Sequence, residues 1–319
     1  MDKKKIFIDG KEGTTGLRIH DRLAQRDDIE LITLPEELRK DTSARKTALN
    51  TCDIAFLCLP DAAAVEAVSL IENENVKVID TSTAHRTNPA WAYGFPELSA
   101  EHYKKIKASK RVAVPGCHAS GFIALVYPLI KAGVLSPAEM LFCCSVTGYS
   151  GGGKKMIAQY REKERSALYD SPRQYALSQE HKHLREMKAI SGIDEYPVFS
   201  PIVADFYSGM AVTVPVFARR LLNGAGAREI EEIYSKLYNT SIVSYNKNVD
   251  EDGLFAANAL SGRDDMQITV VGNDERILLL ARYDNLGKGA SGAAVQCMNI
   301  MLGCEETKGL VRSVDYDKN

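Results

Sequence analysis

The sequence predicts an α/β half carrying a doubly wound parallel sheet, followed by an α+β half built on a mainly antiparallel sheet. Three observations carry this. The first part alternates short apolar runs with stretches of helical spacing. A glycine-rich turn follows the first of those runs. After about residue 138 the apolar runs lengthen, and two of them flank a tight turn.

In chain order, 5–8 reads as a strand and 17–24 as a helix. Residues 29–34 and 54–59 read as strands, 62–71 as a helix and 76–79 as a strand. A short strand at 112–114 leads into a helix over 120–132. In the second half, 140–146 and 210–217 read as longer strands, the latter alternating Val212, Val214 and Val216. Residues 267–271 and 276–283 flank Gly272-Asn273-Asp274 as a hairpin, and 228–237 is an amphipathic helix. The tail, 290–302, is helical, with Ala293, Ala294, Cys297 and Met301 as its buried stripe.

At 319 residues the chain has room for two domains, with 45% apolar and 26% charged residues. A net charge of −2 offers no footprint for nucleic acid or an anionic membrane. No apolar run approaches the roughly 20 residues of a spanning helix, and no secretory leader is expected. Seven cysteines without framework spacing read as reduced thiols of a cytoplasmic protein.

Three segments carry chemistry. Gly10, Gly13 and Gly16 form a GxxGxxG turn between the first strand and helix, with Thr14 and Thr15 adding hydroxyls. Such a turn lets a pyrophosphate approach the free N–H groups of a helix start; its plain alternative is a turn that ends a strand. After the second strand, Arg39 or Lys40 suits a 2′-phosphate and Glu36 a 2′-hydroxyl, which leaves NAD and NADP both open. Cys117 follows a Pro115-Gly116 bend at a helix start, where the dipole favours a thiolate. The other six cysteines sit in or beside apolar segments and read as small hydrophobes. His181 and His183 lie in a polar stretch with Glu180 and Glu186, and a histidine suits proton transfer to or from a cysteine nucleophile. If the stretch is helical, the two point opposite ways, so one acid/base is expected rather than a metal pair; the alternative is a charged surface helix. The glycine run 147–155 clusters N–H groups, Ser150 and two lysines, as an oxyanion nest or a mobile loop does.

Segments 8–16 (IDGKEGTTG), 79–86 (IDTSTAHR), 113–122 (AVPGCHASGF), 147–155 (TGYSGGGKK), 179–186 (QEHKHLRE) and 284–296 (DNLGKGASGAAVQ) occur in an order that resembles the short-form N-acetyl-gamma-glutamyl-phosphate reductase family. That family lies within the glyceraldehyde-phosphate and aspartate-semialdehyde dehydrogenase-like superfamily. The resemblance implies a Rossmann domain, 1–116 with 286–319, to which the C-terminal helix returns. It implies a catalytic and dimerisation domain over 117–285. It implies NADP(H), an acyl phosphate or aldehyde substrate with inorganic phosphate, and a homodimer or homotetramer. Cys117 is then the nucleophile, and His181 and His183 supply the acid/base, with His181 preferred. Gly10, Gly13, Thr14, Thr15, Gly16, Leu59, Pro60, Ser82 and Asn285 line the cofactor. Ser150, Gly151, Lys154 and Glu186 lie at the substrate. Longer relatives carry an arginine where this chain has Tyr207-Ser208 before Gly209-Met210, so the contact to the substrate carboxylate stays unassigned.

The rivals are a sister semialdehyde dehydrogenase, a cysteine hydrolase turning over without nucleotide, and a nucleotide sensor without a reactive thiol.

Overall fold

The computed structural model describes residues 3–248 and 251–312. The chain divides into two compact units. The first takes residues up to Pro96, Ala100–Pro115 and Ala290–Leu310; the second takes Glu97–Ser99, Gly116–Gly289 and the chain from Val311.

In the first unit, six strands form one sheet: β1 (Lys4–Asp9), β2 (Ile29–Ile32), β3 (Ile54–Leu57), β4 (Lys77–Asp80), β5 (Ala92–Tyr93) and β6 (Arg111–Ala113). Their order is β2-β1-β3-β4-β6-β5, and every pairing is parallel. The order reverses between β1 and β3, so their carboxyl ends frame the crevice where such sheets bind ligands. β3 is buried along its whole length, as a strand covered on both faces must be. Helices α1 (Thr14–Leu23), α2 (Thr42–Thr51), α3 (Asp61–Ser69) and α4 (Ala100–Ala108) connect the strands.

The C-terminal helix, Gly292–Leu302, belongs to this unit, as the resemblance implied. It is buried on all sides from Gly292 to Met301, rather than along the expected stripe. Its buried Asn299 makes that possible: Oδ1 accepts from Arg26 Nη1 at 2.6 Å, and Nδ2 donates to the carbonyls of Glu306 and Lys308.

The second unit carries seven strands: β7 (Phe142–Gly148), β8 (Arg173–Gln174), β9 (Val198–Ala204), β10 (Met210–Phe217), β11 (Val243–Tyr245), β12 (Met266–Gly272) and β13 (Arg276–Tyr283). The order is β11-β12-β13-β10-β7-β9-β8. The sheet is mixed, because β7 with β9 and β11 with β12 pair in parallel. Among the described residues, four α-helices accompany this sheet: α5 (Cys117–Lys131), α6 (Gly153–Arg161), α7 (His183–Ser191) and α8 (Ala227–Leu237). α5 is buried from His118 to Leu129 and packs on β10 and β13, so it is the unit's central core helix.

Several boundaries differ from the sequence reading. α5 starts at Cys117, three residues earlier than expected, which makes Cys117 the first helical residue. β7 starts at Phe142, two residues later than expected. α2 was not expected from its polar sequence, although Asp41 caps it by accepting from the Ala44 N–H at 2.7 Å. β9 holds Pro201 in an inner strand, a placement that argues against a strand when only sequence is read.

Candidate active site

Gly116 is the N-cap of α5 and has no side-chain cap. Its N–H donates instead to Glu186 Oε1 of α7 at 2.7 Å, and both groups are buried. A carboxylate at a helix start satisfies an orphan amide and complements the dipole. Glu186, expected at the substrate, therefore has one oxygen committed to the main chain beside Cys117. The next residue, His118, is also buried. Its Nδ1 lies 2.7 Å from Ser145 Oγ, and its Nε2 lies 2.6 Å from the Tyr175 hydroxyl. With the Tyr175 O–H donating to Nε2, the network assigns the ring proton to Nδ1, donating to Ser145. Burial, with His181 nearby, pushes His118 down to about 3, so its ring stays neutral. Burial also raises the Tyr175 hydroxyl, which keeps its proton.

His181 lies in the turn before α7 rather than on a helix with His183, so the two rings do not diverge. The His183 N–H donates to His181 Nδ1 at 3.2 Å, and the ring centroids are 4.7 Å apart. Burial, then Lys182, pushes His181 down to about 4. α7 buries His183, Leu184, Glu186 and Met187, so it is not a solvated surface helix. Ligand atoms of Cys117, His118 and His183 all lie within 4.8 Å of one another. His181 is outside that group. The geometry thus groups His118 and His183 with the thiol, whereas the sequence order favoured His181. The H-x-H pair itself does not form a metal cluster among the described residues.

The far wall comes from 284–289. Buried Asp284 accepts from Ser208 Oγ at 2.8 Å and from the N–H groups of Leu286 and Gly287 at 2.6 and 3.0 Å. This folds the turn so that Gly289 packs on Cys117, where an added Cβ would stand 3.1 Å from the Cys117 Cβ. Asn285 accepts from the Gly209 N–H at 2.9 Å and donates to Ser150 Oγ at 3.0 Å. Ser150 is buried within the glycine-rich turn, while Gly151 and Lys154 are exposed.

In the first unit, Gly10 and Leu59 line a cavity of about 660 Å³ at the carboxyl ends of β1 and β3, with Lys11, Arg39 and Lys40. Gly10 has φ +83°, and an added Cβ would run into the Cys58 carbonyl. A Cβ on Gly16 would stand 2.6 Å from the Gly10 carbonyl. The fold itself therefore requires both glycines. Gly13 differs: it is exposed, its φ of −69° suits any residue, and a Cβ would meet nothing closer than 3.5 Å. Nothing in the protein demands glycine there; close approach of a ligand would. Thr14 and Thr15 open α1, which has no side-chain cap. Pro60 opens α3 as its exposed N-cap. Ser82 is buried, with its hydroxyl donating to Asp80 at 2.7 Å.

Two family models match the chain: the semialdehyde dehydrogenase NAD-binding domain over residues 5–106, and the semialdehyde dehydrogenase dimerisation domain over residues 117–285. An N-acetyl-gamma-glutamyl-phosphate reductase of Trichormus variabilis is 45% identical over 97% of this chain and 100% of its own length. One of Brucella anthropi is 45% identical over 94% and 99%. The chain belongs to the N-acetyl-gamma-glutamyl-phosphate reductase family. Among solved structures, aspartate semialdehyde dehydrogenase II of Vibrio cholerae matches with a TM-score of 0.72 at 15% identity, covering 95% of this chain and 99% of that one. The enzyme from Francisella tularensis matches at 0.69 and 14%, over 94% and 100%. At these identities the likeness concerns the fold.

Membership in this reductase family accounts for the segments that the geometry gathers around Cys117. Sequence reasoning missed two members of that cluster, His118 and Tyr175. His118 was visible as the neighbour of the cysteine; Tyr175 had no motif to mark it.

Proposed function

We propose that the chain is a cytoplasmic NADP(H)-dependent reductase that converts N-acetyl-gamma-glutamyl phosphate to N-acetylglutamate 5-semialdehyde and phosphate through a thioester on Cys117. The observation that carries this is Cys117 at the first position of α5, with a His183 nitrogen within 4.8 Å of its sulfur. The relatives' printed names supply the substrate.

In this reading His183 takes the thiol proton. The thiolate attacks the acyl carbon, the carbon–oxygen bond to phosphate breaks, and phosphate leaves. A bound nicotinamide supplies hydride chemistry to the thioester. First-turn amides of α5 hold the oxyanion that develops; the Gly116 amide, committed to Glu186, is not one of them. Collapse of the tetrahedral centre expels the thiolate, releases the aldehyde and returns the proton to the thiol.

The cofactor's residues fit a dinucleotide: exposed Gly13 leaves room for a pyrophosphate beside the amides of Thr14 and Thr15. We favour NADP over NAD because Lys11, Arg39 and Lys40 line the cavity; Arg39 is ion-paired with Glu12 through Nη1 at 2.8 Å, which leaves its Nε for a phosphate oxygen. The half-exposed Phe217 and the exposed Val198 and Leu278 on the second sheet suit a homodimer contact. Ser150, Gly151 and Lys154 are assigned to the acyl or phosphate pocket, and Asn285 to the nicotinamide end.

The test follows NADP reduction with N-acetylglutamate 5-semialdehyde, with and without phosphate. Reduction that requires phosphate is expected. Turnover without nucleotide, or a stronger response to aspartate semialdehyde, overturns the reading.

A further inference from the structure

Tyr234, Tyr238 and Tyr283 are buried, and each donates its hydroxyl to a main-chain carbonyl of α5. Tyr234 bonds to Leu125, and Tyr238 to Ala124 at 2.7 Å. Tyr283, the last residue of β13, bonds to the carbonyl of Cys117 itself, at 2.5 Å. In addition, the Gly121 N–H donates to the Tyr283 hydroxyl at 3.0 Å. The phenol therefore touches both ends of an i to i+4 pair in the first turn of the helix, and the carbonyl of that pair belongs to the nucleophile.

The sequence makes room for this contact. Gly121 lies inside a core helix, where glycine is disfavoured. A Cβ at that position would stand 2.7 Å from the Tyr283 oxygen and 2.6 Å from Val212 Cγ2. The chain beyond Tyr283 then returns to Cys117 by a second route. The Gly289 N–H donates to the Asp284 carbonyl at 3.0 Å, which closes the turn that packs Gly289 against the Cys117 Cβ. One strand end thus holds the nucleophile at its carbonyl and beside its Cβ. Burial, then the charge of Cys117, holds the Tyr283 phenol well above its ordinary value, so it stays a donor at working pH.

We propose that Tyr283 is a positioning residue: its hydroxyl fixes the main chain of Cys117 and so aims the thiol at the acyl carbon. The inference rests on the reductase reading above, in which that sulfur attacks. A single rotatable bond separates the Cys117 main chain from its sulfur, so the main chain decides where the sulfur can lie. Misplacing a reacting group by about 1 Å can cost ~100-fold in rate. A donor on the Cys117 carbonyl also draws electron density from an oxygen of the same residue, which favours the charged form of the sulfur.

The experiment compares Tyr283→Phe with Tyr238→Phe in the full-length protein. Each deletes one hydroxyl bonded to α5, but Ala124 lies seven residues beyond Cys117, about 10 Å along the axis. Both variants should lower Tm. Only Tyr283→Phe should lower kcat, by about tenfold, with NADPH affinity unchanged. Alkylation of Cys117 by iodoacetamide is followed across pH by mass spectrometry of the peptide that carries it. Its midpoint should rise by ~0.5 pH unit or more in Tyr283→Phe and stay at the wild-type value in Tyr238→Phe. A wild-type kcat or a wild-type midpoint in Tyr283→Phe, or equal losses of kcat in the two variants, overturns the proposal. Fluorotyrosine introduced at position 283, with the fluorine beside the hydroxyl, keeps the bond and strengthens the donor, and it carries the test if Tyr283→Phe does not fold. The midpoint should then fall; one that stays or rises overturns the proposal. If wild type turns over neither N-acetylglutamate 5-semialdehyde nor the acyl phosphate, the reductase reading fails, while the alkylation profiles still decide the role of Tyr283.

Discussion

Helices α1 and α5 both begin at a glycine N-cap in extended conformation with no side-chain cap, yet they offer a ligand different things. At α1 the N-cap Gly13 is exposed, and the first turn, with Thr14 and Thr15 half-buried, presents main-chain amides to solvent. At α5 the N-cap is buried, its amide is bonded to Glu186, and the first residue projects a thiol toward His118 and His183. An open helix start binds an anion through its backbone. A closed one, with its N-cap amide already partnered, lends its dipole to a side chain. The same local signal, glycine before a helix, thus leaves an exposed N-cap in one unit and a projected thiol behind a buried N-cap in the other.

The largest separation of the two should come from Cys117→Ser. Turnover should fall on the order of 10⁴-fold or more, while NADPH titration of the variant matches wild type. Appreciable residual turnover would remove the thiol from the mechanism. Next, His183→Ala should lose roughly 10²–10⁴-fold in kcat, and His181→Ala should keep most of it. The reverse ranking in steady-state kinetics would return the acid/base role to His181.

Acid should weaken the closed helix start. His118 and His181 are held near 3 and 4, against 6.5 in an unfolded chain. The folded pKa values are depressed, so stability is complete above pH ~6.5 and is lost as pH falls toward 4. His181 is partly solvated, so its own share of the loss is on the order of 1 kcal/mol by pH 5. Urea midpoints measured between pH 7.5 and 5 should therefore fall less steeply in His181→Gln; parallel slopes would show that His181 is not held neutral.

The smallest effect sharpens the open helix start. Gly13→Val should fold normally and bind NADPH about tenfold or more weakly, a loss of ~1.4 kcal/mol or more. Gly10→Val should instead lower the melting temperature, because φ +83° excludes a branched side chain. Unchanged NADPH affinity in Gly13→Val would reduce the loop to a turn.

Periodicity and glycine placement were enough to read the parallel sheet, the GxxGxxG turn and Cys117 at a helix start, because each is a local property of a few consecutive residues. The same reading failed where a distant partner decides. β9 is a strand despite Pro201 because β7 and β8 pair with it on either side. α2 forms on a polar sequence because Arg45, Ala48 and Leu49 find cover. The order of His181 and His183 in the chain says nothing about distance to a sulfur 64 or more residues away. That distance depends on the Glu186 bond, which ties the start of α7 to the start of α5. Tyr175 bears on the site only because the chain after β8, paired to β9 at the edge of the sheet, carries it to His118. Chemistry that needs one residue type in one local setting can be read along the chain. Chemistry that needs several side chains at hydrogen-bond range is set by packing, which sequence spacing does not encode.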